Sequence, residues 1–187
     1  MNSHKRIYKL TLSALLIAVA ILIPMVSPIK IIVGPMSYTL ASHVAIMIAM
    51  FISPVIGVAV NLGATLGFLL AGFPLVVVLR AFSQVVWAFL GGYYLVKHPD
   101  TLKDLKKMII FNLGIAVIHG VLEMLVVIPF YYGAGMSMST LCTMLFGFVG
   151  LGTIIHSTVD FIIALIVMKA SLNLKSVKEI STVKEVL

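Results

Sequence analysis

Residues 108–132 read MIIFNLGIAVIHGVLEMLVVIPFYY, and Glu123 is the only formally charged side chain among them. As a helix, a run of this length rises about 37 Å, enough to cross roughly 30 Å of hydrocarbon. The stretch reads as a transmembrane helix, and the rest of the chain has the same character. Of 187 residues, 61% are hydrophobic and 10% charged, with a mean hydropathy of +1.20. Ordinary soluble domains are nearer about 45–50% apolar. The expected class is an all-α integral membrane protein.

On either side of this helix the apolar runs predict five more: about 8–26, 39–52, 54–71, 75–96 and 141–170. Six transmembrane helices in one compact bundle then make a single membrane domain over 1–187, with 171–187 as a solvated cytoplasmic tail. The first run is interrupted by Pro24 and lacks an A-x-A cleavage pattern, so it reads as a retained helix rather than a signal peptide. Residues 27–38, SPIKIIVGPMSY, break helix on both sides and predict an ordered external loop or small hairpin. Residues 133–140 form a second uncharged external loop. Met36, Met136 and Met138 in these loops read as ordinary packing. Pro54 suits the first position of a helix, and Gly63-x-x-x-Gly67 allows another helix to approach closely.

The net charge is +7, and its distribution matters more than its size. All but Lys30 and Arg80 of the 13 basic residues fall in three clusters: residues 5–9, 97–107 and 169–184. With six spans these clusters share one side, which the positive-inside rule makes cytoplasmic, together with both termini. The basic excess is thus a topology signal and not the footprint of a nucleic-acid binder. The one cysteine, Cys142, excludes an internal disulfide and a cysteine metal cluster.

Three charges sit inside apolar stretches: Arg80, Glu123 and Asp160. An ionisable group at the bilayer centre costs about 2.5–3.5 kcal/mol, so such residues face a protein interior and mark a site. Two of them follow a histidine by one helical turn, as His119-x-x-x-Glu123 and His156-x-x-x-Asp160. By helix position, Arg80, Glu123, His43 and His119 belong to the outer half. Asn61, His156 and Asp160 fall near mid-membrane or below. This column suits a pocket open to the exterior, with Gln84 and Tyr38 as further lining. Arg80 either grips a ligand carboxylate with its fork of donors or forms a structural bridge to Glu123; the spacing leaves both open.

Two other function classes fit the same residues. His119, Glu123, His156 and Asp160 form a two-histidine, two-carboxylate metal site if the fifth and sixth helices face each other. Against that reading, H-E-x-x-H is absent and the two pairs fall at different depths. An autonomous secondary transporter is the other class, although no internal repeat links the two halves of the chain.

Six spans in 187 residues, Ala14-x-x-x-Ala18 in the first helix, a proline-rich first loop and a charged linker after the fourth helix resemble a known family. It is that of the S-components, the substrate-binding membrane subunits of energy-coupling factor (ECF) vitamin transporters. The stretches Tyr38-Thr-Leu-Ala-Ser-His43, Met50-Phe-Ile-Ser-Pro54, Ala71-Gly-Phe-Pro74 and Leu79-Arg80-Ala81 are similar to members assigned to niacin and pantothenate. The resemblance implies a non-enzymatic plasma-membrane subunit that captures a small water-soluble vitamin from outside. It implies that Ala14 and Ala18 dock on an EcfT-type transmembrane coupling subunit, and that two partner ATPase subunits use the ATP. The chain itself has no G-x-x-x-x-G-K-[ST] motif and needs no cofactor of its own. The expected substrate-binding set is Arg80, Glu123, His43, Asn61, Gln84, His119 and Tyr38, for an anionic vitamin such as pantothenate or nicotinate.

Overall fold

The structure, a computed structural model, describes residues 3–33, 36–132 and 135–187, with residues 32, 33, 36 and 37 described by their backbone alone. Gly34, Pro35, Gly133 and Ala134 of the two expected external loops, and the side chain of Met36, lie outside the described residues.

Helix α1, Ser3–Val26, leads into an antiparallel hairpin of β1, Lys30–Val33, and β2, Met36–Thr39, in which Lys30 opposes Thr39 and Ile31 opposes Tyr38. The hairpin form of the first loop follows from its β-branched trio. Next come α2, Val44–Ile52, and α3, Pro54–Leu70, joined by an extended Ser53 that lets Pro54 start the second helix. Helix α4, Leu75–Lys97, passes through a short 3₁₀ turn, Thr101–Lys103, into α5, Leu105–Tyr132. Helix α6, Met138–Ser171, is continuous but π-wound over Thr143–Leu151. A short α7, Lys175–Ile180, precedes the final extended residues.

Four of these helices, α1, α4, α5 and α6, are long and apolar enough to cross a membrane. Helix α2 is not. Every one of its nine residues is buried, and a helix apolar on all faces belongs in a core rather than at a boundary. It is about 13 Å long, so the expected helix over 39–52 is replaced at its outer end by β2 and a turn. Its neighbours are the long helices, whose outward faces carry exposed apolar side chains such as Leu10, Ile110 and Ile166. In water such continuous surface would drive association; against lipid it is the expected finish.

Helix α1 lies in the groove made by Gly63 and Gly67 of α3. A Cβ at Gly63 would come 2.7 Å from Ile17 Cδ1, and one at Gly67 would strike Ile21. That contact fixes the rotation of α1 and turns Ala14 and Ala18 to its exposed face.

The tail corrects a sequence expectation. Residues 181–187 are not solvated as a whole: Val183 is fully buried, and the Thr182 and Val183 amides donate to the Ile52 and Phe51 carbonyls at 2.8 and 3.1 Å. The tail thereby satisfies carbonyls that the end of α2 leaves unpaired. Leu187 N–H donates to Leu102, Lys103 pairs with Glu185 at 3.3 Å, and Lys5 pairs with Glu179 at 3.3 Å. These contacts gather the start of α1, the α4–α5 linker and the tail at one end of the bundle, so the three basic clusters share a side.

Candidate binding site

At the other end, under the hairpin, lies a cavity of about 90 Å³ lined from α1, the hairpin and helices α2 to α6. A buried water occupies roughly 10–15 Å³ on the same measure, so the space suits a small single-ring molecule. Arg80 and Glu123 form its charged wall. Arg80 Nε and Nη2 approach the same carboxylate oxygen, Glu123 Oε2, at 2.7 and 2.6 Å. Thr153 Oγ1 donates to that oxygen at 3.4 Å. The other oxygen, Oε1, faces His119 Nε2 at 3.3 Å.

Of the two roles that the sequence left open for Arg80, the bridge to Glu123 is formed. A guanidinium carries five N–H donors, and Glu123 engages it from the Nε side alone. The Nη1–Nη2 edge keeps a pair of parallel donors, the arrangement that matches a carboxylate bidentately. Arg80 can hold Glu123 and a ligand carboxylate at once. Lys30, whose ammonium donates to the Pro24 carbonyl at 3.3 Å, adds a second cation to the lining.

Beside this wall stands His43, with a ring nitrogen within 4.8 Å of the Glu123 carboxylate. Its Nδ1 is 3.0 Å from Asp160 Oδ2 and its Nε2 is 3.0 Å from Gln84 Nε2. The ring packs edge-on against His119 and His156, with centroids 4.7 and 4.9 Å away. His43 therefore links the two His-x-x-x-acid pairs. Asp160 is fully buried and accepts the Ala41 and His43 amides at 2.7 and 2.9 Å. It anchors the turn before α2 from across the bundle, and Ala41 holds a left-handed φ of 66° in that turn.

Tyr38 covers the site from β2. Its hydroxyl donates to the Phe148 carbonyl in the π-wound part of α6, and its ring lies 5.4 Å from that of His156. Gly152 makes room for it, since a Cβ there would sit 2.5 Å from the hydroxyl. Burial pushes the Tyr38 phenol above its ordinary value, so the group remains a neutral donor.

Of the seven expected binding residues, Tyr38, His43, Arg80, Gln84 and Glu123 line the cavity. Asn61 and His119 do not: both are fully buried behind the wall, His119 against Trp87 at 5.4 Å and Asn61 under the Thr65 hydroxyl. Lining that sequence reasoning overlooked includes Lys30, Ser42, Thr153 and the Phe68–Phe73 ring pair at 4.9 Å. Lys30 did carry a signal, as a lone cation far from the three basic clusters.

The histidines and acids also make two groups with ligand atoms within 4.8 Å, His43–His119–Glu123 and His43–His156–Asp160. Their acceptors are already engaged: Glu123 Oε2 by Arg80, and Asp160 by two backbone amides and the imidazole of His43. A guanidinium 2.6 Å from the carboxylate opposes a second cation there.

The chain is 40% identical over 162 residues to the niacin transporter NiaX of Lactococcus lactis subsp. cremoris (strain MG1363), covering 86% of this chain and 72% of that protein. The chain belongs to the NiaX family of ECF-type S-components. This S-component is a membrane transport protein and not an enzyme, and neither the metalloenzyme nor the autonomous-carrier reading is favoured. No protein-family profile and no solved structure matches it.

Proposed function

We propose that this S-component captures nicotinate, the anionic form of niacin, from outside the cell and delivers it inward with partner subunits. The observation that carries the reading is Arg80 in the lining of a cavity of about 90 Å³, held by Glu123 through Nε and Nη2 alone. Two cations, Arg80 and Lys30, against one lining carboxylate, Glu123, favour an anion. A single-ring acid suits the volume better than the longer, branched pantothenate. The name of the NiaX relative supports the same ligand. In this proposal the chain through α2, and α3, complete a six-crossing topology beneath the external hairpin, and both termini with the basic clusters are cytoplasmic. An EcfT-type coupling subunit docks on the exposed Ala14–Ala18 face of α1, and two ATPase subunits supply the energy.

Titration of the purified chain with nicotinate and with pantothenate tests the ligand. Tight binding of nicotinate and at least tenfold weaker binding of pantothenate are expected; the reverse order overturns the assignment. Uptake into liposomes should require the coupling subunit and ATPases. Ala14→Trp or Ala18→Trp should abolish co-purification with the coupling subunit and uptake, while nicotinate affinity changes less than about threefold. A bulky side chain removes close helix approach without touching the cavity, so equal loss of binding and uptake would refute the docking role.

A further inference from the structure

We infer that Asp160, His43 and Gln84 form a positioning relay that makes Gln84 the reader of the ligand's ring nitrogen; this rests on the nicotinate reading. The relay begins at Asp160. A carboxylate only accepts hydrogen bonds, and this one is fixed by the Ala41 and His43 amides at 2.7 and 2.9 Å. His43 Nδ1, 3.0 Å from Oδ2, must therefore carry its hydrogen. A neutral imidazole protonated at Nδ1 has a lone pair at Nε2. Gln84 places its Nε2 3.0 Å from His43 Nε2, a contact that is a hydrogen bond only where the ring nitrogen keeps its lone pair and the amide donates an N–H. One N–H of Gln84 serves His43, and the second remains as a donor on a residue that lines the cavity.

Gln84 stands one helical turn beyond Arg80 on α4, and both line the cavity. A turn is about 5.4 Å, so the two side chains stand near enough for one single-ring acid to meet both. With the carboxylate on the open edge of Arg80, the ring nitrogen meets the remaining N–H of Gln84. A pyridine nitrogen only accepts, so an amide held in the opposite orientation would present it an oxygen and repel it. The relay excludes that orientation. Discrimination against a ring without the nitrogen follows, because a buried donor would then be left unpaired.

The test uses the purified full chain and compares dissociation constants for nicotinate and benzoate, which differ by the ring nitrogen alone. Wild type should prefer nicotinate by at least tenfold. Gln84→Leu should bring the two constants within about twofold of each other, mostly by weakening nicotinate. His43→Phe keeps an aromatic ring and removes both polar contacts; it should reduce the preference several-fold, a ratio that a purely structural defect would leave unchanged. Should His43→Phe fail to fold, Gln84→Leu alone decides. Retention of the wild-type ratio in Gln84→Leu overturns the relay. So does equal binding of nicotinate and benzoate by wild type. A wild-type chain that binds neither compound overturns the nicotinate reading and the relay with it.

Discussion

Arg80→Ala should weaken nicotinate binding by about two to three orders of magnitude, in keeping with the roughly 2–5 kcal/mol lost when one member of a buried charge pair is truncated. Two contributions are combined in that loss. One is the open Nη1–Nη2 edge, which no other residue of the lining replaces. The other is Glu123, left buried with 2% exposure and without its cation. A pair of further variants separates them. Arg80→Lys keeps the charge but not the fork, and should bind at least tenfold more weakly than wild type while melting within a few degrees of it. The double variant Arg80→Ala/Glu123→Gln should recover much of the thermal stability lost by Arg80→Ala, since the stranded charge is gone, yet should not recover binding. Isothermal titration and thermal unfolding of the same purified variants check both outcomes. Wild-type affinity in a stable Arg80→Ala would refute the carboxylate role.

Asp160→Ala should be the most destabilising single change in the site. It strands the amides of Ala41 and His43 and the Nδ1–H of His43, all facing a buried carboxylate. Each buried donor left unmade costs about 1–3 kcal/mol, against a total stability of about 5–15 kcal/mol for a typical domain. The turn that holds Ala41 at a left-handed φ loses its anchor at the same time. Poor yield or a melting temperature lowered by more than about 10 °C is expected. Asp160→Asn, which keeps one acceptor oxygen and turns the other position into a donor, should fall between. A melting temperature for Asp160→Ala within a few degrees of wild type would show that the amides find other partners and that the anchor role is wrong.

The contrast between Asp160 and Arg80 shows what the chain discloses as a sequence. Both stand out as charges in apolar surroundings, and both face the protein interior. For Arg80 the partner was legible, because helix position brought it to the depth of Glu123. For Asp160 the obvious partner was His156, one turn away on the same helix. The structure adds His43 and two backbone amides from the other side of the bundle, contacts separated by more than a hundred residues. Asn61 and His119 illustrate the converse. Both stood out as polar residues in apolar helices, but a small rotation about the helix axis decides between the cavity and the packing behind it.

The same distinction holds across the molecule. The sequence alone determined the membrane class, from apolar runs long enough to span hydrocarbon, and the shared side of the basic clusters, from charge. It determined the helix breaks, from Pro, Gly and the β-branched loop that became a hairpin, and the small-residue face of α1. Tertiary structure decided which side chains converge. In a membrane helix the lipid-facing and protein-facing sides are both apolar, so the amphipathic contrast that reveals the inner face of a soluble helix is weak. Tertiary structure also decided that α2 is a buried half-helix and that the tail is docked on its end. The docking has a physical cause: the carbonyls of Phe51 and Ile52 need partners at the end of a helix enclosed by others, and residues 182 and 183 supply them.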